Sequence, residues 1–403
     1  MIDRRSLIGT TFAGGAFALM PGAAFAKAIA ASGAGDPLTP LLASFAEELF
    51  LLSPESASQL GLDSGAHMAL KSKLSDGSTA GRVRSDAQIR SMHARLLKLN
   101  RAGLSTQSQI LYDTVRYATE RGIDGMAFKY GGGGGAGFQG GTGPYVLSQQ
   151  NGAVSGIPEF LVTAHKLTNA ADFEAYLSRT NAFARQIDQE AVRIREDAAI
   201  GVMPPRFIAD NAMGQLKEFR ATPAAQQRFV TYLGEQARKL GIAGDWAGRA
   251  TKIVETAVYP ALDREIAAFA AATANAPMTA GVQRLPDGDA YYRWALRLGT
   301  TTTQTPEEVH RIGLAQNEEI KARMDALLKA QGMTKGSVGE RVTALNKDPK
   351  FLFPNTDEGR AQLIAYLNGK IAAIRPLMPK ISKLGLNANV MVKRVPPEIQ
   401  DGA

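Results

Sequence analysis

The stretch NAADFEAYLSRTNAFARQIDQEAVRIREDA, residues 169–198, decides the fold. Its apolar or small positions Phe173, Leu177, Thr180, Ala184, Ile187, Ala191, Ile194 and Ala198 alternate steps of four and three. That spacing keeps one face of an α-helix apolar and predicts a helix of about eight turns. Ala184, Ala191 and Ala198 on the stripe would let a neighbouring helix approach closely.

The same period extends in both directions. Asp245–Phe269 reads as a helix bent or broken at Tyr259-Pro260, because proline lacks a backbone donor and crowds the preceding turn. Arg82–Arg101 gives a shorter helix, with Ile89, Met92, Leu96 and Leu99 inward and Arg84, Arg90, Arg95 and Lys98 mostly outward. Thr305-Pro306-Glu307-Glu308 is a capping box with proline at the first helical position, and Val309, Ile312, Ile320, Met324 and Leu327 form the stripe behind it. Ser53-Pro54-Glu55, Thr222-Pro223 and Thr356-Asp357-Glu358 mark further helix starts. The expected class is therefore mainly α, a large multi-helix bundle.

Two stretches interrupt this pattern. Tyr130–Ile157 is glycine-rich: a mobile flap, a close backbone approach to a ligand, or a long solvated loop. Its Gly132, Gly134 and Gly137 match a dinucleotide fingerprint in form, but no helix opens directly after them and no Lys-Ser or Lys-Thr completes a phosphate loop. The cluster Ser148, Gln149, Gln150 and Asn151 either lines a cleft or closes a hydrogen-bonded loop. Asn389–Val395 reads as a lone C-terminal β-strand with β-branched Val390, Val392 and Val395 before Pro396-Pro397. A lone strand leaves backbone groups unpaired, so it needs a partner such as Gly281–Leu285 or a sheet lying past residue 403, and truncation is the reading taken.

Composition narrows the chemistry. The 403 residues include no cysteine, which removes disulfides, thiolate zinc sites and cysteine nucleophiles. Asp3-Arg4-Arg5-Ser6-Leu7-Ile8 resembles a twin-arginine export signal, followed by a diluted apolar run and Ala24-Phe25-Ala26. Residues 1–26 are thus expected to be removed, leaving 27–403 in the periplasm or secreted, with no stable membrane insertion after cleavage. The formal charge of +8 is uneven. Arg360, Lys370, Arg375, Lys380, Lys383, Lys393 and Arg394 lie between Gly359 and Pro397 with no acidic residue among them. Such a run suits a solvated face, a partner such as an acidic C-terminal segment, or anionic lipid. It lacks the aromatic interleaving of a single-strand nucleic-acid platform, and export argues against nucleic acid.

Catalytic motifs are scarce. The four histidines, His67, His93, His165 and His310, form no zinc-binding pair. Glu307 and His310 have the spacing of a di-iron ligand pair, but no second pair exists, and Glu307 suits the first turn of a helix without any metal. Neither Gly-x-Ser-x-Gly nor Ser-x-x-Lys occurs. Tyr291, Tyr292, Arg297 and the Thr300–Thr303 run remain, since tyrosine and arginine bind peptide carbonyls and carboxylates. Adjacent tyrosines on a helix point about 100° apart, so at most one faces a given cleft.

The segments SPESASQLGLD (53–63), PYVLSQQNGAVSGIPEFL (144–161), DNAMGQLKEFR (210–220) and LPDGDAYYRWALRLGTTTTQTPEEVHRIGL (285–314) resemble the bacterial family termed domain of unknown function 885. The resemblance implies the helical part of a cleft-shaped, gluzincin-like zinc metallopeptidase acting on peptide or another small-molecule substrate. It implies zinc for the full-length family, held by a His-Glu and Gly-His-His segment that maps onto no residue here. It also implies a substrate-side role for Tyr291, Tyr292 and Arg297, with Gln149, Gln150 and Asn151 as further candidates. The chain is thus expected to be the exported N-terminal portion of a zinc-peptidase-like protein, inactive as it stands. The alternative is a non-catalytic periplasmic helical protein that binds peptide, cell-wall fragment or anionic lipid.

Overall fold

The computed structural model describes residues 36–131, 142–382, 389–392 and 394. The segment expected to be an export signal, residues 1–26, and the fingerprint glycines Gly132, Gly134 and Gly137 lie outside the described residues. The described residues form two units, one ending at Thr303 and one beginning at Gln304. Among them every regular element is helical and no strand occurs.

In the first unit the helices are α1 (Leu38–Leu52), α2 (Pro54–Gln59), α3 (Thr79–Leu96), α4 (Thr106–Gly125), α5 (Ala153–Thr163), α6 (Ala170–Ala199), α7 (Arg206–Ala221), α8 (Arg228–Leu240), α9 (Trp246–Ile253), α10 (Tyr259–Ala272) and α11 (Gly288–Thr300). Helix α6 is the expected long helix, started by Asn169, whose side chain accepts the Asp172 N–H at 3.2 Å. Its stripe is buried from Phe173 to Ile194, and α5, α9, α10 and the segment after α2 all pack on it. Burial spreads beyond the stripe to Tyr176, Arg179, Phe183, Glu190 and Asp197, as expected of a helix surrounded by neighbours.

Between α9 and α10 the helix does not break. Val254–Val258 forms a π-helical turn, and Pro260 sits in the first turn of α10. Widening the turn absorbs the missing Pro260 donor without ending the helix. Thr222-Pro223 opens only the 3₁₀ turn Ala224–Gln226, and α8 starts at Arg228 instead. A separate apolar cluster joins α1, α3 and α4 through Leu38, Phe45, Met92, Leu96, Tyr112 and Val115.

The second unit holds α12 (Pro306–Ala330), α13 (Val338–Lys347) and α14 (Asp357–Ile374). The Thr305–Glu308 capping box forms, and a second joins Ser337 to Glu340. The expected α12 stripe is not buried: Ile312, Ile320 and Leu327 stay exposed, and Leu328 is the buried residue of that helix. Arg341 fixes α13 to α12, donating to the Met333 carbonyl at 2.9 Å and to Asp325. The expected strand is replaced by side-chain pairing. Residues 389–392 and 394 are not extended into a ladder; Val392 N–H donates to Asn368 Oδ1 at 2.9 Å, and Asn368 Nδ2 reaches back to the Val392 carbonyl at 3.3 Å. One asparagine amide thus serves the two backbone groups that a partner strand would have served. Part of the basic run is neutralised locally, since Arg360 and Arg394 both reach Asp357, at 3.1 and 2.9 Å.

Candidate functional site

Helix α11 carries the tyrosine pair. It is bracketed by two residues with left-handed backbone, Asp287 (φ 54°) and Thr301 (φ 56°). Tyr291 and Trp294, three residues apart, turn inward onto Phe128 and Tyr130. Tyr291 stacks on Tyr130 with ring centroids 5.2 Å apart, and its hydroxyl donates to the Thr142 carbonyl at 2.9 Å. The Tyr130 hydroxyl donates to the Pro286 carbonyl at 2.7 Å, and Trp294 Nε1 donates to the Arg121 carbonyl at 2.8 Å.

The C-terminal half of α6 grips the backbone beside this cluster. Arg193 Nη2 donates to the Gly131 carbonyl at 2.9 Å, while Asp197, one turn on, accepts the Gly131 N–H. Gly131 has φ +63°, and a Cβ there would lie 2.8 Å from the Gly143 carbonyl oxygen, so Gly131 and the Gly143-Pro144 backbone meet closely. Arg284 donates to the Tyr145 hydroxyl at 2.9 Å and to the Met203 carbonyl. Tyr291 thus joins segment 128–131 to segment 142–145, while Arg193 and Asp197 hold the first at Gly131 and Arg284 holds the second at Tyr145.

Burial sets the protonation states. It raises Asp197 to about 6 against the pull of Arg193, and lowers Arg193. Burial lifts Tyr130 to about 12 and Tyr291 further still, so both are neutral hydrogen-bond donors and neither is a base. Glu190 of α6 and Glu265 of α10 are also raised, chiefly by burial.

The six sequence candidates do not converge. Tyr291 is buried in the aromatic cluster, whereas Tyr292 is 48 % exposed. Arg297 is exposed as well, but five residues from Tyr292 places it about 140° around the helix. The Arg297 carbonyl accepts the Tyr117 hydroxyl at 2.5 Å and the Thr301 N–H at 3.0 Å. Gln149, Gln150 and Asn151 form a hydrogen-bonded turn. Asn151 Nδ2 donates to the Tyr145 and Val146 carbonyls, Ser148 N–H donates to the Asn151 carbonyl, and Gln150 N–H donates to Ser148 Oγ. The turn leads through Gly152 to α5, whose first N–H, from Ala153, is held by Glu190.

Three of the four histidines are engaged by other groups of the chain. His67 pairs with Glu47 at 2.5 Å and His93 with Thr119 at 2.9 Å. His165 is buried between Arg179 and the Asp172 carbonyl, and burial lowers it to about 4. Among the described residues no group of three or more His, Cys, Asp or Glu side chains is placed to hold a metal. Nor is any helix among them long and apolar enough to cross a membrane.

Fold and site together define a mainly α-helical protein in which one long central helix organises a clamped polar and aromatic node. The chain belongs to a family described as bacterial protein of unknown function (DUF885), whose model matches residues 54–403. Among solved structures it is similar to the crystal structure of a candidate lipoprotein from Colwellia psychrerythraea. The TM-score is 0.79 at 25% identity, over 91% of this chain and 64% of that one. This chain therefore spans less than two thirds of that protein's length. No curated protein matches it.

Proposed function

We propose that this chain is the helical body of an exported, zinc-peptidase-like hydrolase, which supplies scaffold and substrate-facing surface but not the metal centre. The observation that carries this reading is how the family-like segments are used. Ser58 accepts from Arg179 at 2.7 Å, Asn151 closes a turn, and Tyr291 holds the Thr142 carbonyl. Each of these residues supports the chain's own backbone or core. Export, to the periplasm or outside, is supported by the Arg4-Arg5 leader and by the description of the similar structure as a candidate lipoprotein. Tyr292 and Arg297 stay exposed on α11, about 140° apart, so one or the other, not both, would face a bound peptide. The test is peptide hydrolysis by the purified chain, with and without added zinc and a chelator. No chelator-sensitive cleavage is expected; zinc-dependent turnover would overturn the reading.

A second reading is a non-catalytic binding protein for peptide, cell-wall fragment or anionic lipid. It is favoured by the apolar side chains that the second unit leaves exposed, including Leu327, Phe351, Tyr366 and Ile374. Retention on immobilised peptidoglycan fragments or anionic vesicles would support it, and retention on neither would remove it.

A further inference from the structure

Helices α6 and α10 form the most extensive helix pair among the described residues, and each carries a buried glutamate, with the charge of Glu190 on one acting on Glu265 of the other. Glu265 of α10 is fully buried, and neither of its carboxyl oxygens has a hydrogen-bond partner. Glu190 of α6 is 8% exposed. Its Oε2 accepts the Ala153 N–H at 2.7 Å, at the first turn of α5, while its Oε1 has no partner. The approach to α5 depends on Gly152. Its φ is +130°, and a Cβ there would lie 2.6 Å from Leu147 Cδ1 and 2.8 Å from Glu190 Oε1.

Two ionised carboxylates buried beside each other would repel, with Glu265 wholly unpartnered and Glu190 half so. One proton resolves both problems, because a protonated carboxyl becomes a donor and Glu190 Oε1 is an acceptor without one. Glu190 suits the anionic role, since it faces the positive end of α5. We propose that Glu265 is a carboxylic acid in the native protein and donates its proton to Glu190 Oε1, making the pair a proton-operated latch between α6, α10 and the start of α5.

The surroundings agree with this assignment. Asp188 of α6 also faces Glu265 and pairs with Arg264 at 2.8 Å. Arg193 faces Glu190, but its guanidinium is engaged with the Gly131 carbonyl. Helix α7 and residues 147–154 contribute apolar groups to the adjoining core, namely Ala209, Ala212, Leu216, Leu147 and Val154. Burial raises both carboxyls, and the negative charge of Glu190 raises Glu265 further. A raised acid stabilises the fold fully below its unfolded value and loses that contribution as pH rises through its folded value. The latch therefore opens on the alkaline side.

Infrared spectroscopy of the whole chain tests this, alongside thermal melting across pH. The wild type is expected to show the carbonyl stretch of a protonated carboxylic acid at pH 7, which Glu265→Gln removes. Its melting temperature should fall as pH rises above neutral. Glu265→Gln should flatten that fall, because an amide can donate to Glu190 Oε1 but has no proton to lose. If that variant does not fold, alkaline titration of the wild-type band decides the matter alone. Absence of the band at pH 7, or its survival in a folded Glu265→Gln protein, would overturn the proposal. So would stabilisation by added Na⁺ or Ca²⁺ that Glu265→Gln abolishes, since a cation would then hold the pair.

Discussion

Arg179 donates from Nη1 to His165 Nδ1 across 2.9 Å, with both side chains buried. His165 Nε2 lies 3.0 Å from the Asp172 carbonyl, so Nε2 carries the ring proton and Nδ1 accepts. The guanidinium also donates to Ser58 Oγ, the Leu70 carbonyl and the Lys73 carbonyl. One arginine thus ties α6 to α2 and to the segment beyond it. Burial lowers Arg179 to about 10, which leaves it charged at neutral pH.

Removing that arginine should be costly. Arg179→Met strips the donor from several buried acceptors, and we expect a loss of about 3–5 kcal/mol in urea unfolding. A loss below about 1 kcal/mol would mean that the network is replaced by water.

The histidine predicts the acid limb of stability. Its folded value of about 4 lies below the ordinary 6.5, so the neutral ring favours folding above 6.5, and that contribution is lost as pH falls toward 4. The full effect is on the order of 3 kcal/mol. His165→Gln should flatten the melting temperature over that range, and an unchanged acid limb would locate the transition in other groups.

The two adjacent tyrosines should respond differently. Tyr291→Phe removes a buried hydrogen bond to Thr142 and should cost about 1 kcal/mol. Tyr292→Phe, at an exposed site, should stay within about 0.5 kcal/mol. Equal effects in calorimetry would contradict the burial described.

Thr301 is a β-branched residue with left-handed backbone at the end of α11. Thr301→Gly should stabilise the chain by about 1 kcal/mol by relieving that strain. A lower melting temperature in the variant would show that the side chain contributes more than the backbone strain costs.

The helical frame was legible in the sequence because its signals are local. The 3.6-residue stripe of α6, the Asn169 cap and the Thr305–Glu308 box each depend on neighbours within one or two turns. The π turn before Pro260 was not, since a proline in a helical pattern signals disruption without saying how the backbone absorbs it. Nor was the exposure of the α12 stripe, which depends on what packs there and not on its period. Helix geometry indicated that at most one of Tyr291 and Tyr292 would face a given cleft, and the two do diverge, Tyr291 toward an aromatic core and the Thr142 carbonyl and Tyr292 toward the exposed side. Glu190, Arg193 and Asp197 escaped notice because charges spaced three and four apart read as a surface ion-pair ladder. Arg179 escaped for the same reason. Only the tertiary fold shows that α6 is enclosed on those faces too.

The measurement that tests the central claim most directly is zinc stoichiometry. The purified chain, equilibrated with zinc and then dialysed, should retain well under one equivalent by metal analysis, and its melting temperature should not change on chelation. One tightly held equivalent, lost when His93 or His310 is replaced by alanine, would contradict the assignment of this chain as a scaffold without a metal centre.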